Sequence, residues 1–496
     1  MRSLGNMLAA LVLAPSLAIA AAPPRSDAVK LPVATFTLKN GLTVLVSEDH
    51  AIPVVAVEVL YHVGSKEEKR GKTGFAHLFE HMMFEGSGHV GDKLHFKYIA
   101  EAGGTATGTT NTDRTNFFET VPSNYLARAL WLESDRMGFL LDTLTQAKLD
   151  NQRDVVRNER RQSYENRPYG MVPKALHEMI YPEGHPYRWL TIGEHSDLEA
   201  ASLEDVKSFF RTWYSPSNAT LALAGDVTLA DAKQLAQKYF GDLPSRPAPP
   251  QASAPKVVLS EDKRERIEDK VSLERLYLSW PSPPLFAPGD AELDLLATLL
   301  SSKSGRLYER LVYRDRVAQS VECYQESAKL GSLFEIVATA RPGHTAAEIE
   351  KIIDEELRAL LGDRPVTAEE LGRARNRWEA AFVFGLQGVA SRASRIGEYY
   401  AMTGRADFLD QDRRRYLTAT PAAVERVARE VLGGHKAILT VVPIAGAATE
   451  KPLAANGQPI GAMPPTVENK FPKAPSGKAM DKSSPARGTL ENKEIH

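Results

Sequence analysis

A single cysteine, Cys323, stands in a chain of 496 residues, so no internal disulfide can form and stability has to come from packing. Dense runs of lysine and arginine are missing as well. Lys+Arg 61 balance Asp+Glu 63 to a formal net charge of -2, and nothing in that pattern asks for a nucleic-acid partner. Beyond the N-terminus no apolar stretch is long enough to span a bilayer, which excludes an integral membrane chain built on helices. What is present is a globular composition, 43% hydrophobic, in a chain too long for one core, so two or more domains are expected.

Met1 to Ala22 reads as a secretory signal: Arg2 supplies a short positive region, Met7 to Ala20 a small apolar one, and Ala18-Ile19-Ala20 an A-x-A cleavage site. Residues 1–20 are therefore expected to be removed on export to the periplasm. Pro15 interrupts the apolar run and argues against a retained membrane anchor.

Thr35–Leu38, Leu42–Val46 after an Asn40-Gly41 turn, and Val54–Leu60 have strand character, and Thr107–Val121 reads as a strand pair. Phe75–Phe84, Tyr125–Leu141 and Gln146–Tyr164 show helical spacing, with Ser123 a candidate cap for the second. Leu203–Tyr214 is helical and Ala219–Asp226 a strand ending in a turn. A Pro/Ala/Ser stretch at 243–258 marks a linker. After it a similar order returns: strand Arg275–Trp280, helices Ala291–Leu300, Ala346–Leu361, Ala368–Phe384 and Pro421–Leu432, and strand Ala437–Val442. The expected fold is α+β, with two similar halves at 31–242 and 259–444, each a mostly antiparallel sheet packed with helices. Residues 445–496 are rich in Pro, Ala, Lys and Gly and are expected to be disordered.

Chemistry concentrates in His77-Leu78-Phe79-Glu80-His81. On an α-helix two histidines four apart project from one face with an offset of about 40°, and Glu80 lies about 60° to the other side of His77. Neutral imidazoles ligate zinc, and a carboxylate beside the metal can take a proton from an acidified water. This order is the inverted H-x-x-E-H motif of zinc peptidases. The flanking Phe75, Leu78, Phe79, Met82, Met83 and Phe84 would bury the helix, and burying two histidines and a carboxylate without a partner costs several kcal/mol. A third ligand is expected on a second helix, where Glu159 follows a Val155-Val156 pair expected to be buried. Spacing alone leaves Glu159, Glu133, Asp135 and Asp154 open.

These residues resemble the pitrilysin family of zinc peptidases, which includes insulin-degrading enzyme and the mitochondrial processing peptidase. The resemblance runs from about Leu31 to Pro443 and is carried by Gly64-Ser65, by Gly74 to Ser87, by Gly103-Gly104 with Asp113 to Phe117, and by Val155 to Glu159. It implies His77, His81 and Glu159 as ligands of one zinc ion per chain, Glu80 as general base, and duplicated α+β halves around a chamber. Three departures stand out. Gln152 occupies the place of a second family Glu seven residues before the third ligand, which is expected to tune metal affinity or rate. Thr107-Gly108 replaces Asn-Ala in the strand that pairs with substrate, a change that backbone pairing tolerates. An Arg/Tyr pair that holds the substrate carbonyl in single-chain relatives aligns with Val312 and Gln319, although Tyr313, Arg314 or Arg316 could substitute after a register shift.

The expectation is a zinc metalloendopeptidase acting on unfolded peptides, the metal-bearing subunit of a heterodimer whose homologous partner supplies the Arg/Tyr pair. The competing expectation is a non-catalytic peptide-binding or assembly subunit of the same fold; a zinc hydrolase acting on other substrates is a third.

Overall fold

The structure, a computed structural model, describes residues 29–244 and 246–444. The expected signal peptide and C-terminal tail lie outside the described residues. No helix among the described residues is long and apolar enough to cross a membrane.

Among the described residues eleven strands form two sheets. The first contains β1 (Ala34–Thr37), β2 (Thr43–Glu48), β3 (Val54–Tyr61), β4 (Thr105–Thr110), β5 (Thr115–Pro122) and β6 (Ala219–Gly225), in the order β1-β2-β6-β3-β5-β4. The second contains β7 (Lys263–Asp269), β8 (Arg275–Ser282), β9 (Ala318–Glu326), β10 (Ser332–Ala340) and β11 (Ala437–Pro443), in the order β7-β11-β8-β10-β9. With β1 removed, the first order maps onto the second strand for strand. Directions agree as well: β2 with β6 and β7 with β11 are parallel, and the remaining pairs in both sheets are antiparallel. The α+β expectation and the repeated order are thus met, with mixed sheets. Residues 246–259 carry neither helix nor strand.

The central strands are buried on both faces, which is why Val54–Tyr61 and Ala219–Gly225 are apolar on both faces apart from Glu58 and Thr220. One face of the first sheet, with Val57, Val59, Leu221 and Leu223, packs under the helices of its own half. The other, with Leu45, Ala56, Ala222 and Ala224, is covered by Val389, Ala393 and Ile396 of helix Val389–Thr403, which comes from the second half. The reverse also holds. Val172, Leu176 and Ile180 of α5 (Val172–Ile180), in the first half, cover Tyr277, Leu439 and Val441 of the second sheet. The halves therefore exchange one helix each, and neither sheet is closed by its own segment alone.

A polar latch reinforces the exchange. Asp113, in the β4–β5 turn, accepts hydrogen bonds from the Lys329 amide at 2.9 Å and the Tyr187 hydroxyl at 2.7 Å. The same hydroxyl accepts from the Leu330 amide at 2.9 Å. Lys66, whose side chain is fully buried, donates to the Asp113 carbonyl at 2.9 Å and pairs with Glu67 at 3.0 Å.

Ser123 is not a helix cap. It opens a short 3₁₀ turn before α3 (Leu126–Thr143), and its hydroxyl donates instead to Asp226 at 2.7 Å, tying that turn to the end of β6.

Beneath the first sheet lies a fully buried cluster of His95, Glu119, Glu133 and Arg136. Arg136 stacks over the rings of Phe84 and Phe117 and binds both oxygens of Glu133. Burial pushes Glu133 up to about 8 and Glu119 up to about 7, and pulls His95 down to about 3. Arg136 pulls against that burial at both carboxyls, and the Glu119 carboxyl meets the His95 ring. A carboxyl raised in this way contributes stability that is full below its ordinary value, 4.5, and lost as the pH rises through the folded value of about 7. Unfolding of the metal-free protein in urea should show it. Relative to Glu119→Gln, which cannot ionise, the wild type should lose about 2 kcal/mol between about pH 5 and pH 8; a difference independent of pH would refute the assignment.

Candidate metal centre

The site is built on two helices, α1 (Phe75–Met82) and α4 (Gln146–Arg160). Helix α1 buries Phe75, Ala76, Leu78, Phe79 and Met82, and Phe79 packs against Phe209, Phe210 and Tyr214. Its N-terminus is held by a carboxylate. Glu68 accepts from the amides of Gly74 at 2.9 Å and Ala76 at 2.7 Å, donors that have no partner inside the helix. Burial pushes the Glu68 carboxyl well above the usual range, and these two amides pull against it.

Gly74 enters the helix with φ 85, and a Cβ there would lie 2.8 Å from the Ile192 carbonyl. A Cβ on Gly193, φ 75, would lie 2.4 Å from the Gly74 Cα. The two backbones touch, as only glycine permits. Arg160, at the end of α4, binds the Gly193 carbonyl and pairs with Glu194 at 2.9 Å, so the second helix clamps the entry to the first.

His77 Nε2 lies 3.7 Å and His81 Nε2 lies 3.4 Å from one oxygen of Glu159. A tetrahedral zinc ion with ligands at roughly 2.0–2.1 Å separates its ligand atoms by about 3.4 Å, so the three atoms stand at ligand spacing. Burial holds His77 down to about 4, leaving the neutral imidazole that a metal requires. For His81 burial also lowers the value, but the Glu159 and Glu80 carboxylates and Gln152 outweigh it and raise it. Glu159 is lowered, because the two imidazoles outweigh its partial burial. Two imidazoles and a carboxylate are a donor set that fits zinc.

Glu80 points from α1 toward β4. Its Oε2 accepts from the Thr110 hydroxyl at 2.7 Å, and burial raises its carboxyl above the ordinary value despite that bond. Gly108 shares a face with Thr110, two residues along the strand. A Cβ on Gly108 would come within 3.0 Å of the Glu80 Cγ, so the glycine makes room for the carboxylate. Thr107 lies on the opposite face, its hydroxyl 3.4 Å from the Gly108 carbonyl. Of the Thr107-Gly108 pair, only Gly108 abuts the site. Strand β4 is the edge of the first sheet.

The alternatives to Glu159 are committed elsewhere. Glu133 belongs to the Arg136 cluster. Asp135 accepts from Ser87 and from the backbone and ring nitrogens of His89, ordering the loop after α1. Asp154 pairs with Arg157 at 3.7 Å. Of the Val155-Val156 pair only Val156 is buried; Val155 is 41% exposed. Gln152 is buried and donates from Nε2 to Glu85 at 2.8 Å.

In the second half Val312 is buried and Gln319 exposed. Arg314 pairs with Asp315 at 2.9 Å, and the Tyr313 ring meets Tyr308. The contacts that these two residues make among the described residues stay within the second half. Sequence reasoning missed Glu68, Arg160 and Glu85. The first two act on backbone groups that leave no side-chain pattern. Thr110 was reachable, since the period of two in β4 puts it on the same face as Gly108.

Residues 43–188 match the sequence profile described as insulinase (peptidase family M16), and residues 200–377 that described as the peptidase M16 inactive domain. The zinc protease PqqE of Helicobacter pylori is 29% identical over 402 residues, covering 79% of this chain and 89% of that protein. A probable mitochondrial-processing peptidase subunit beta of Arabidopsis thaliana is 24% identical, covering 74% of this chain and 70% of its own. Among solved structures, a protease from Helicobacter pylori aligns with TM-score 0.78 and 27% identity over 83% of this chain and 100% of that one. The first half of the periplasmic protease PqqL from Escherichia coli shares the fold, at TM-score 0.70 and 18% identity over 85% and 93%; against whole PqqL the coverage of that chain is 52%.

Because Glu68 satisfies two buried amides, Glu68→Ala should destabilise the metal-free protein by about 3 kcal/mol, since each buried amide left without an acceptor costs roughly 1–3 kcal/mol. Glu68→Gln, which keeps one acceptor, should fall between the two in urea denaturation. Equal stability of all three proteins would remove Glu68 from this role.

Proposed function

Since the chain belongs to the insulinase family of peptidases, M16, we propose that it is an exported zinc metalloendopeptidase that cleaves unfolded peptides in the periplasm. The observation that carries this reading is the meeting of His77 and His81 with one Glu159 oxygen at 3.7 and 3.4 Å, beside a Glu80 held by Thr110. His77, His81 and Glu159 would hold one zinc ion, which would supply Lewis-acid chemistry to the scissile carbonyl and to water. Glu80 takes a proton from the attacking water and delivers one to the leaving amine. Its raised value suits both directions of transfer, because an acid-base group works best when its pKa approaches the working pH. The free edge of β4 offers its backbone groups to an extended peptide, which explains why unfolded chains are the substrate class.

Export is supported by the composition of Met1 to Ala22 and by the fold shared with a periplasmic protease. Pairing with a homologous subunit is supported by the second half, where buried Val312 and exposed Gln319 stand in place of the Arg/Tyr pair. The partner would supply that pair to the substrate carbonyl. The competing reading is a non-catalytic peptide-binding subunit.

Two experiments separate these readings. Glu80→Gln should retain one zinc ion per chain while peptide cleavage falls by about 10²–10⁴-fold, the usual loss for an acid-base group; zinc analysis beside a fluorogenic peptide assay reads both. A wild-type complex that binds zinc and cleaves nothing favours the non-catalytic subunit. Purified alone, the chain should cleave at least about a hundredfold more slowly than when co-expressed with a homologue that carries the Arg/Tyr pair. Full activity of the isolated chain would end the heterodimer reading.

A further inference from the structure

We propose that Arg114 is a specificity-determining residue, which selects an acidic side chain on the peptide residue that pairs with Thr109 of β4. This rests on the reading of the β4 edge as the strand that receives substrate.

The register of β4 on β5 fixes which of its groups a peptide can meet. The Asn111 amide donates to the Arg114 carbonyl at 3.0 Å. Hydrogen-bonded and close pairs alternate along an antiparallel ladder, so Thr109 with Asn116 is the next bonded pair, and Thr110 with Thr115 and Gly108 with Phe117 are close pairs. Thr109 therefore turns its backbone groups toward β5, while Gly108 and Thr110 turn theirs to the open edge. A peptide added there bonds to Gly108 and Thr110, and its residue opposite Thr109 forms a close pair whose two side chains share a face. Gly108 and Thr110 carry the face beside Glu80, so the Thr109 pair lies on the other.

Arg114 is anchored at this position. Its Nη1 donates to the Thr109 hydroxyl at 2.6 Å and to the Thr109 carbonyl at 2.9 Å, and that hydroxyl donates on to Asn116 at 2.5 Å. These bonds hold the guanidinium beside the edge strand and use one of its three nitrogens. Nε and Nη2 make no hydrogen bond among the described residues, although the residue is half-buried. The carboxylates whose charge reaches it are engaged elsewhere: Glu58 by Asn116 and Ser394, Asp113 by Tyr187, Glu80 by Thr110, and Glu398 by Arg395 at 3.6 Å. A guanidinium with free donors in a fixed fork matches a carboxylate, whereas a lysine on the peptide would set cation against cation. Backbone pairing accepts any extended peptide, so discrimination falls to side chains such as this one.

The test is cleavage of unstructured peptides by the full-length chain co-expressed with its homologue, with the cut bond located by mass spectrometry. Peptides that carry glutamate, glutamine or lysine at each position near the cut should reveal one position where glutamate exceeds lysine by about tenfold in kcat/KM, the factor that about 1.4 kcal/mol supplies. The ratio is read within each variant, so a general loss of activity cancels. Arg114→Glu should invert it, Arg114→Gln should bring it to about one, and Arg114→Lys should keep glutamate ahead. A wild type with no acidic preference at any position, or a ratio that Arg114→Glu leaves unchanged, overturns the proposal. Binding of the same peptides to full-length Glu80→Gln and to Glu80→Gln/Arg114→Glu, followed by fluorescence anisotropy, should show the same inversion where cleavage is too slow to measure. It also separates the two readings. Acidic peptides bound more tightly but never cut would refute the peptidase and leave the Arg114 contact standing. Peptides cut without acidic preference would refute the contact alone, and a chain that neither binds nor cuts them removes both.

Discussion

One buried carboxylate decides where the reactive helix begins. Helix α1 is only eight residues long, too short to be stable by itself, and it carries two imidazoles and a carboxylate into the interior. Glu68 receives its first free amides, and Gly74 lets its backbone press against Gly193. Those two contacts set the height and rotation of the helix, and with them the direction of His77, Glu80 and His81. Arg160 holds the other side of the same contact from α4. The segment that supplies Glu159 is therefore tied to the segment that supplies the histidines through backbone atoms of a third.

The larger frame is rigid for a related reason. A sheet buried on both faces needs two covering layers, and each sheet here obtains one of them from the other half. Helix Val389–Thr403 lies on Ala56, Ala222 and Ala224, small residues that let it approach, while α5 lies on the second sheet. Separating the halves would expose both apolar faces together, and at roughly 25 cal/mol per Å² neither half could stand alone at low cost. Glu58 shows how closely the exchanged helix is fitted. This carboxyl, buried in β3 and raised by that burial, takes hydrogen bonds from Asn116 of its own sheet and from Ser394 of the exchanged helix.

Much of this was legible in the sequence, and the gaps have physical causes. The strands of the first half, β8 and β11 of the second and the long helices follow from apolar periodicity and turn residues, whereas β7, β9 and β10 were not read; His77, Glu80 and His81 share a face by helical geometry alone. Glu159 needed the family pattern, because a helix presents many carboxylates and only tertiary packing chooses among them. The two exchanged helices were not read at all. Their covering residues, Val172, Leu176 and Ile180 in one and Val389, Ala393 and Ile396 in the other, show ordinary spacing, and nothing local says which sheet they will meet. Ser123 resembled a cap because its residue type competes for local amides, but a longer-range acceptor, Asp226, won. Gln152 read as a lost charge; in the fold its amide donates to Glu85.

The repeated strand order makes the two halves comparable position by position, and the comparison shows what a site costs. In the first half the helix after the third strand is α1, with its histidines and glutamate. In the second, the helix after the corresponding strand β8 is Asp290–Ser301, where Leu293, Leu295, Leu296, Leu299 and Leu300 are buried. Its polar residues serve structure: Asp290 accepts from Arg415, Ser327 and the Phe286 amide, and burial pushes Asp294 up to about 7 against the Tyr416 hydroxyl. The second half thus lines this helix with apolar side chains, and the first gives it two imidazoles and a carboxylate. The first half then needs support the second can omit: a carboxylate on the helix N-terminus, two touching glycines, and a glycine in β4 beside Glu80. Each of these lies outside the five-residue motif, and each follows from placing charged and ligating groups where apolar ones would have packed without help.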